Sequence, residues 1–123
     1  MGFNNLKASL RLILQNPYLS IRDGFVGMYV SGPSNCTIVH TNIMDCTYGI
    51  IFEHVEDGSM IMDGIIENST YGIFIEDSRN ISIKKTRIES SRIAINIVSS
   101  LNVSLKKIAL NECEHGIYCE ESG

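Results

Sequence analysis

The chain repeats itself every 22 residues, and few features constrain a fold more tightly. Gly27, Gly49, Gly72, Ala94 and Gly116 each open a segment of one design, at spacings of 22, 23, 22 and 22. An apolar-x-apolar triplet follows each small residue: Met28-Tyr29-Val30, Ile50-Ile51-Phe52, Ile73-Phe74-Ile75, Ile95-Asn96-Ile97 and Ile117-Tyr118-Cys119. Self-similarity at a fixed period of this size predicts a solenoid, in which each turn of chain stacks on the one before it.

Two further strands recur in register. The second is Cys36-Thr37-Ile38, Ser59-Met60-Ile61, Ile81-Ser82-Ile83 and Val103-Ser104-Leu105, and the third centres on Ile43, Ile66, Ile88 and Leu110. Alternation with period 2 makes each piece a strand with every second side chain inward. Asn35, Gly58, Asn80 and Asn102 share a turn slot. Gly and Asn accept positive φ at low cost, which predicts a left-handed residue there. The extra residue of the 23-residue segment falls near Glu56, where a local bulge absorbs it. Stacking aligns four inward ladders: Ile50-Ile73-Ile95-Ile117, Phe52-Ile75-Ile97-Cys119, Ile38-Ile61-Ile83-Leu105 and Ile43-Ile66-Ile88-Leu110. Each buried aliphatic side chain contributes about 1.5–3 kcal/mol, enough in sum to hold an elongated chain without a globular core.

The Gly-Ile-x-Ile and Asn-x-Ser-Ile pieces, as in Gly72-Ile73-Phe74-Ile75 and Asn80-Ile81-Ser82-Ile83, resemble the right-handed parallel β-helix repeats of the pectate-lyase-like superfamily. The short regular coils are most similar to NosD-like and carbohydrate-associated repeat domains, over about residues 19–119. The resemblance implies an all-β, right-handed, single-stranded parallel β-helix of about five coils. It says little about activity, because the repeat encodes stacking.

Both ends break the rhythm. Leu6, Leu10, Ile13 and Leu14 share a helical face and Asn16-Pro17 stops the run, which predicts a short cap helix within residues 1–18; a strand through Leu10–Leu14 is the rival. Residues 19–123 form the coils. The far end stops one strand into a new coil, at Gly116–Cys119, and an open parallel edge is an association site unless something covers it. Either further coils or a second copy would serve, so a homo-oligomer is one expectation.

Composition excludes several classes. A net charge of −4 with no basic stripe argues against nucleic acid, and no apolar run is long enough to span a membrane or to make a signal peptide. Lys84, Lys85, Arg87, Lys106 and Lys107 cluster on two adjacent coils, which reads as a solvated face. Cys46 and Cys113 share a repeat slot three coils apart, on the order of 14 Å, too far for a disulfide. Four free thiols are expected, which fits a reducing compartment. Four sequons stand at Asn35, Asn68, Asn80 and Asn102, and three of them share the turn slot, whose need for Asn explains them. No cofactor motif is present.

Function must sit on outward positions. One outward column reads Tyr29, Ile51, Phe74, Asn96, Tyr118, with three aromatic residues among five. It fits a self-association face, a platform for the apolar faces of sugar rings, or a lightly covered surface. The next column reads Ser31, Glu53, Glu76, Val98, Glu120. Glu53, Glu76 and neighbouring Asp77 are the candidates for a glycoside hydrolase or lyase, since such enzymes use paired carboxylates. Against this, the polygalacturonase-type Asn-Thr-Asp and Gly-His-Gly motifs are missing, no Arg stands in the column, and the short turns build no cleft. His54 with Asp77 is the weak candidate for a metal pair. The reading is a non-catalytic β-helix module for self-association or polysaccharide binding, with a polysaccharide-active enzyme as the alternative.

Overall fold

The computed structural model describes residues 13–14, 19–31, 37–56 and 59–120, all in strands and the bends between them. The first coil contains β1 (Ile13–Leu14), β2 (Leu19–Arg22) and β3 (Val26–Ser31). The second contains β4 (Thr37–Val39), β5 (Thr41–Met44) and β6 (Tyr48–Glu53). The third has β7 (Ser59–Met62), β8 (Ile65–Glu67) and β9 (Tyr71–Glu76), and the fourth β10 (Arg79–Lys84), β11 (Arg87–Glu89) and β12 (Ile93–Val98). The fifth closes with β13 (Leu101–Lys106), β14 (Ala109–Asn111) and β15 (His115–Glu120). Every third strand pairs in parallel, giving three five-stranded sheets: A from β1 to β13, B from β2 to β14 and C from β3 to β15. This is the parallel β-helix that the repeat predicts.

The register matches the repeat residue by residue. Ile50 pairs with Ile73, and Ile73 with Ile95, while Phe52 pairs with Ile75 and Ile75 with Ile97. The ladders Ile38-Ile61-Ile83 and Ile43-Ile66-Ile88 meet them from the other two sheets. All of these are buried, with Phe52 the largest. Thr37 pairs with Met60, an offset of 23, so the extra residue is absorbed between β6 and β7.

The cap is corrected where it can be seen. Ile13 and Leu14 pair in parallel with Thr37 and Ile38, so the first coil begins inside the segment assigned to a cap helix. A short isolated helix has a costly nucleus, whereas the edge of sheet A offers ready backbone partners. The remainder of residues 1–18 lies outside the described residues, as do Asn35, Cys36 and Gly58.

The corners follow one rule that spacing alone does not reveal. Each is turned by a residue at positive φ, in columns His40-Asp63-Lys85-Lys107, Asp23-Asp45-Asn68-Ser90-Glu112 and His54-Asp77-Ser99. The expected left-handed slot is also there, at Asn80 (φ 59°) and Asn102 (φ 56°). Up to the fourth coil the amide of each corner residue continues the ladder, as in Asp63 N–H to the Lys84 carbonyl at 3.2 Å. The next residue is usually Ser, Thr or Cys, and its side chain donates to the carbonyl two positions back. Examples are Ser78 to Glu76 at 2.9 Å, Thr86 to Lys84 at 2.9 Å and Cys46 to Met44 at 3.5 Å. The third corner device is steric. A Cβ at Gly49 would lie 2.4 Å from the Gly72 carbonyl oxygen and 2.9 Å from Ile66 Cγ2, so a close approach demands the small residue between sheets B and C.

Candidate functional site

The outer face of sheet C gathers most of the chain's aromatic rings. Register places Tyr29 beside Ile51, Ile51 beside Phe74, Phe74 beside Asn96 and Asn96 beside Tyr118, the column read from the sequence. A second outward column adds Tyr48 and Tyr71, which stack at 4.8 Å between centroids and 9° between planes. Phe74 meets both edge-on, at 5.8 Å and 6.0 Å, and Phe25 meets Tyr48 edge-on at 5.5 Å. The structure joins Tyr48, Tyr71, Phe74 and Phe25 in one four-ring cluster. The shared repeat slot of Tyr48 and Tyr71, three residues before Ile51 and Phe74, is the signal that could have joined them. The rings cover each other, so Tyr48, Tyr71 and Phe74 are only partly exposed. The open positions are at the two ends, Phe25 at 65% exposure and Tyr118 at 48%.

Asn96 is the unusual member of this face. It occupies an outward position between Phe74 and Tyr118, yet it is only 8% exposed. Its Oδ1 is buried and makes no hydrogen bond with any described residue. An unpaired buried amide oxygen costs about 1–3 kcal/mol, a cost that a donor reaching it as the neighbouring rings move aside would recover. Beside it runs the acidic column. Glu53 pairs with Glu76 as the repeat predicts, and the Tyr29 hydroxyl donates to Glu53 Oε1. That hydrogen bond, then burial and the Glu53 charge, hold the Tyr29 hydroxyl above its ordinary pKa.

A groove of about 170 Å³ near the corner is lined by Asp77 with Glu56, Ser78, Arg79, Ser99 and Leu101, while Glu53 and Glu76 line neither it nor the larger groove at the corner between sheets A and B. Asp77 Oδ2 instead lies 3.7 Å from His54 Nδ1, both well exposed. No third ligand joins them: among the described residues no three His, Cys, Asp or Glu side chains converge as a metal site would require. The three described cysteines are free thiols: Cys46 buried, Cys113 partly so and Cys119 exposed. Burial, the largest influence, pushes the Cys46 thiol up. The Met44 sulfur is 3.2 Å from an Arg22 guanidinium nitrogen, which donates to it.

Comparison with known proteins supplies one relation. The family model described as NosD, periplasmic copper-binding protein, matches residues 5–123. Comparisons with curated proteins and with solved structures find no match.

Proposed function

The chain belongs to the NosD family, and from that premise we propose that it is a non-catalytic β-helix module that binds glycans on the outer face of sheet C. The observation that carries the reading is Asn96, a buried amide with an unpaired oxygen set between Phe74 and Tyr118. A sugar presents the complementary surface: hydroxyl donors around an apolar ring. Asn96 Oδ1 would accept a hydroxyl as the rings beside it shift to admit it, and the exposed ring of Tyr118 would take the apolar face. The flat sheet gives no means of excluding water or straining a bond, so the surface suits binding and Glu53, Glu76 and Asp77 serve as contacts.

The family description names copper, and the described residues do not fit it. Copper(I) prefers converging thiolates or thioethers and copper(II) converging imidazoles. Here Cys46 is buried against the Met44 carbonyl, Cys113 and Cys119 belong to different corners and strands, and His54 has a single carboxylate beside it. No step of the proposed function passes through a metal.

A second reading is favoured by the exposed apolar residues. Phe25, Leu101, Leu110, Ile117 and Tyr118 are all 36% exposed or more, and self-association across sheet C or the last coil would cover them. One pair of measurements separates the readings. Calorimetry against a panel of neutral oligosaccharides should show binding that Asn96→Ala and Tyr118→Ala abolish, with mass in solution unchanged. A dimer by light scattering that Tyr29→Ser/Phe74→Ser returns to monomer, with no sugar bound, would replace glycan binding with association.

A further inference from the structure

The corner between sheets A and B holds a groove that the reading of sheet C does not use. About 390 Å³ in volume, it is lined by residues of three consecutive coils, among them His40, Asp63, Ile65, Lys85 and Arg87. The Asp63 amide donates to the Lys84 carbonyl, which sets Asp63 and Lys85 one coil apart in the same corner column. Ile65 and Arg87 are direct cross-strand partners just beyond the corner. The groove therefore has a carboxylate and an aliphatic side chain on one coil and two cations on the next.

These charges do not all cancel in place. Arg87 lies 3.6 Å from Glu89, which offsets it. Asp63 and Lys85 form no ion pair with each other or with any other described residue, although a strand spacing of about 4.8 Å would let them meet. One carboxylate and one ammonium are left over, facing one groove from adjacent coils. An exposed pair gains at most about 1 kcal/mol by closing on itself, so a ligand that takes both charges loses little by keeping them apart.

The left-over charges select the class of ligand. A simple anion would meet Asp63, a simple cation would meet Lys85 and Arg87, and an uncharged molecule would answer neither. A polymer with charges of one sign fails for the same reason. A small molecule with one carboxylate and one ammonium leaves nothing unpaired, and the groove falls in the range of about 300–1,000 Å³ that holds one small molecule.

We infer that this groove is a binding site for a free α-amino acid with an aliphatic side chain. Its carboxylate accepts from Lys85 and Arg87, its ammonium donates to Asp63, and its side chain lies against Ile65. The site is on a different face from the aromatic cluster and does not rest on the glycan reading.

The test is calorimetric titration of the intact chain with L-leucine. N-acetyl-leucine, which lacks the ammonium, leucinamide, which lacks the carboxylate, and phosphoethanolamine are the other arms. Leucine should bind, more weakly as salt rises, and removing either of its charges should weaken binding by about tenfold or more. Asp63→Asn and Lys85→Gln should each weaken it to the same degree. Asn suits the positive φ of 57° at position 63, and Lys85 is exposed, so both variants should melt as the parent does. Lys107→Gln is the control: Lys107 stands in the same corner column, also at positive φ, but outside the groove, and its loss should not affect leucine. Absence of leucine binding, or binding that Asp63→Asn and Lys85→Gln leave intact, would overturn the site. N-acetyl-leucine bound as well as leucine would reduce it to an anion site, and tighter binding of phosphoethanolamine would overturn the amino acid assignment. Asn96→Ala should leave leucine binding unchanged, which tells failure of the sheet C reading from failure of this one.

Discussion

The Val55 amide donates to the Ser78 hydroxyl oxygen across one coil, at 3.1 Å, while the same hydroxyl donates to the Glu76 carbonyl at 2.9 Å. One coil up, the Ser78 amide donates to Ser100 in the same way, at 3.1 Å. The inner corner between sheets C and A is thus a chain of buried hydroxyls standing in for a ladder that the turn would otherwise break.

Replacing Ser78 by Ala should therefore cost more than its size suggests. The Val55 amide, fully buried, would lose its acceptor, a loss of about 1–3 kcal/mol. Ser69, in the Cys46 column, has only a 3.5 Å contact with the Glu67 carbonyl, so Ser69→Ala should be the milder change. Urea unfolding of the two variants checks this, and equal midpoints would refute the role given to Ser78.

The column of small residues gives a second contrast. Gly49→Ala sets a methyl group against the Gly72 carbonyl oxygen, so the coils must separate locally, at about 1–3 kcal/mol. Gly116→Ala meets only Leu110 Cδ1, at 3.2 Å, and should be nearly silent. Ala94 stands fully buried in the same column, which shows that one methyl can be accommodated where the chain has adjusted to it. Thermal melts should rank Gly49→Ala well below Gly116→Ala.

The sequence carries the stacking fully and the surface only in part. Period and alternation are properties of single residues, so Ile50-Ile73-Ile95 and Tyr29-Ile51-Phe74 could be aligned by counting. The corners could not, because Lys85, Ser90 and Glu112 at positive φ belong to no short list of left-handed residues. Asn80 and Asn102 do belong to it, and the Asn102 amide donates to Asn80 Oδ1 at 2.6 Å, which explains two of the sequons as ladder residues. The first strand was hidden for another reason: Leu10–Leu14 fits a helical face and a strand equally, and only pairing with Thr37 and Ile38 decides it. The burial of Asn96 depends on the neighbours' side chains, which periodicity does not describe.

Thiol reactivity should follow burial. Cys46 is buried and its thiol is held up by desolvation, so little thiolate is present near neutral pH, whereas Cys119 is exposed. In a Cys36→Ser background, alkylation of the folded protein followed by mass spectrometry should label Cys119 first and Cys46 last. Denaturant should remove the difference. Early labelling of Cys46 would mean that the corner between sheets B and C opens readily.

The Tyr29–Glu53 contact predicts a pH dependence with a definite sign. The hydroxyl is raised above its ordinary value of 10.0, chiefly because it donates to Glu53 Oε1. Below that value both folded and unfolded chains keep the proton, and the contact contributes in full. Above it the unfolded chain releases the proton first, so stability falls as pH rises through the folded group's pKa. Tyr29→Phe should lower stability near neutrality and flatten this alkaline fall, read as unfolding midpoint against pH beside the parent. A parent and variant with parallel alkaline limbs would show that Tyr29 and Glu53 part before the hydroxyl ionises.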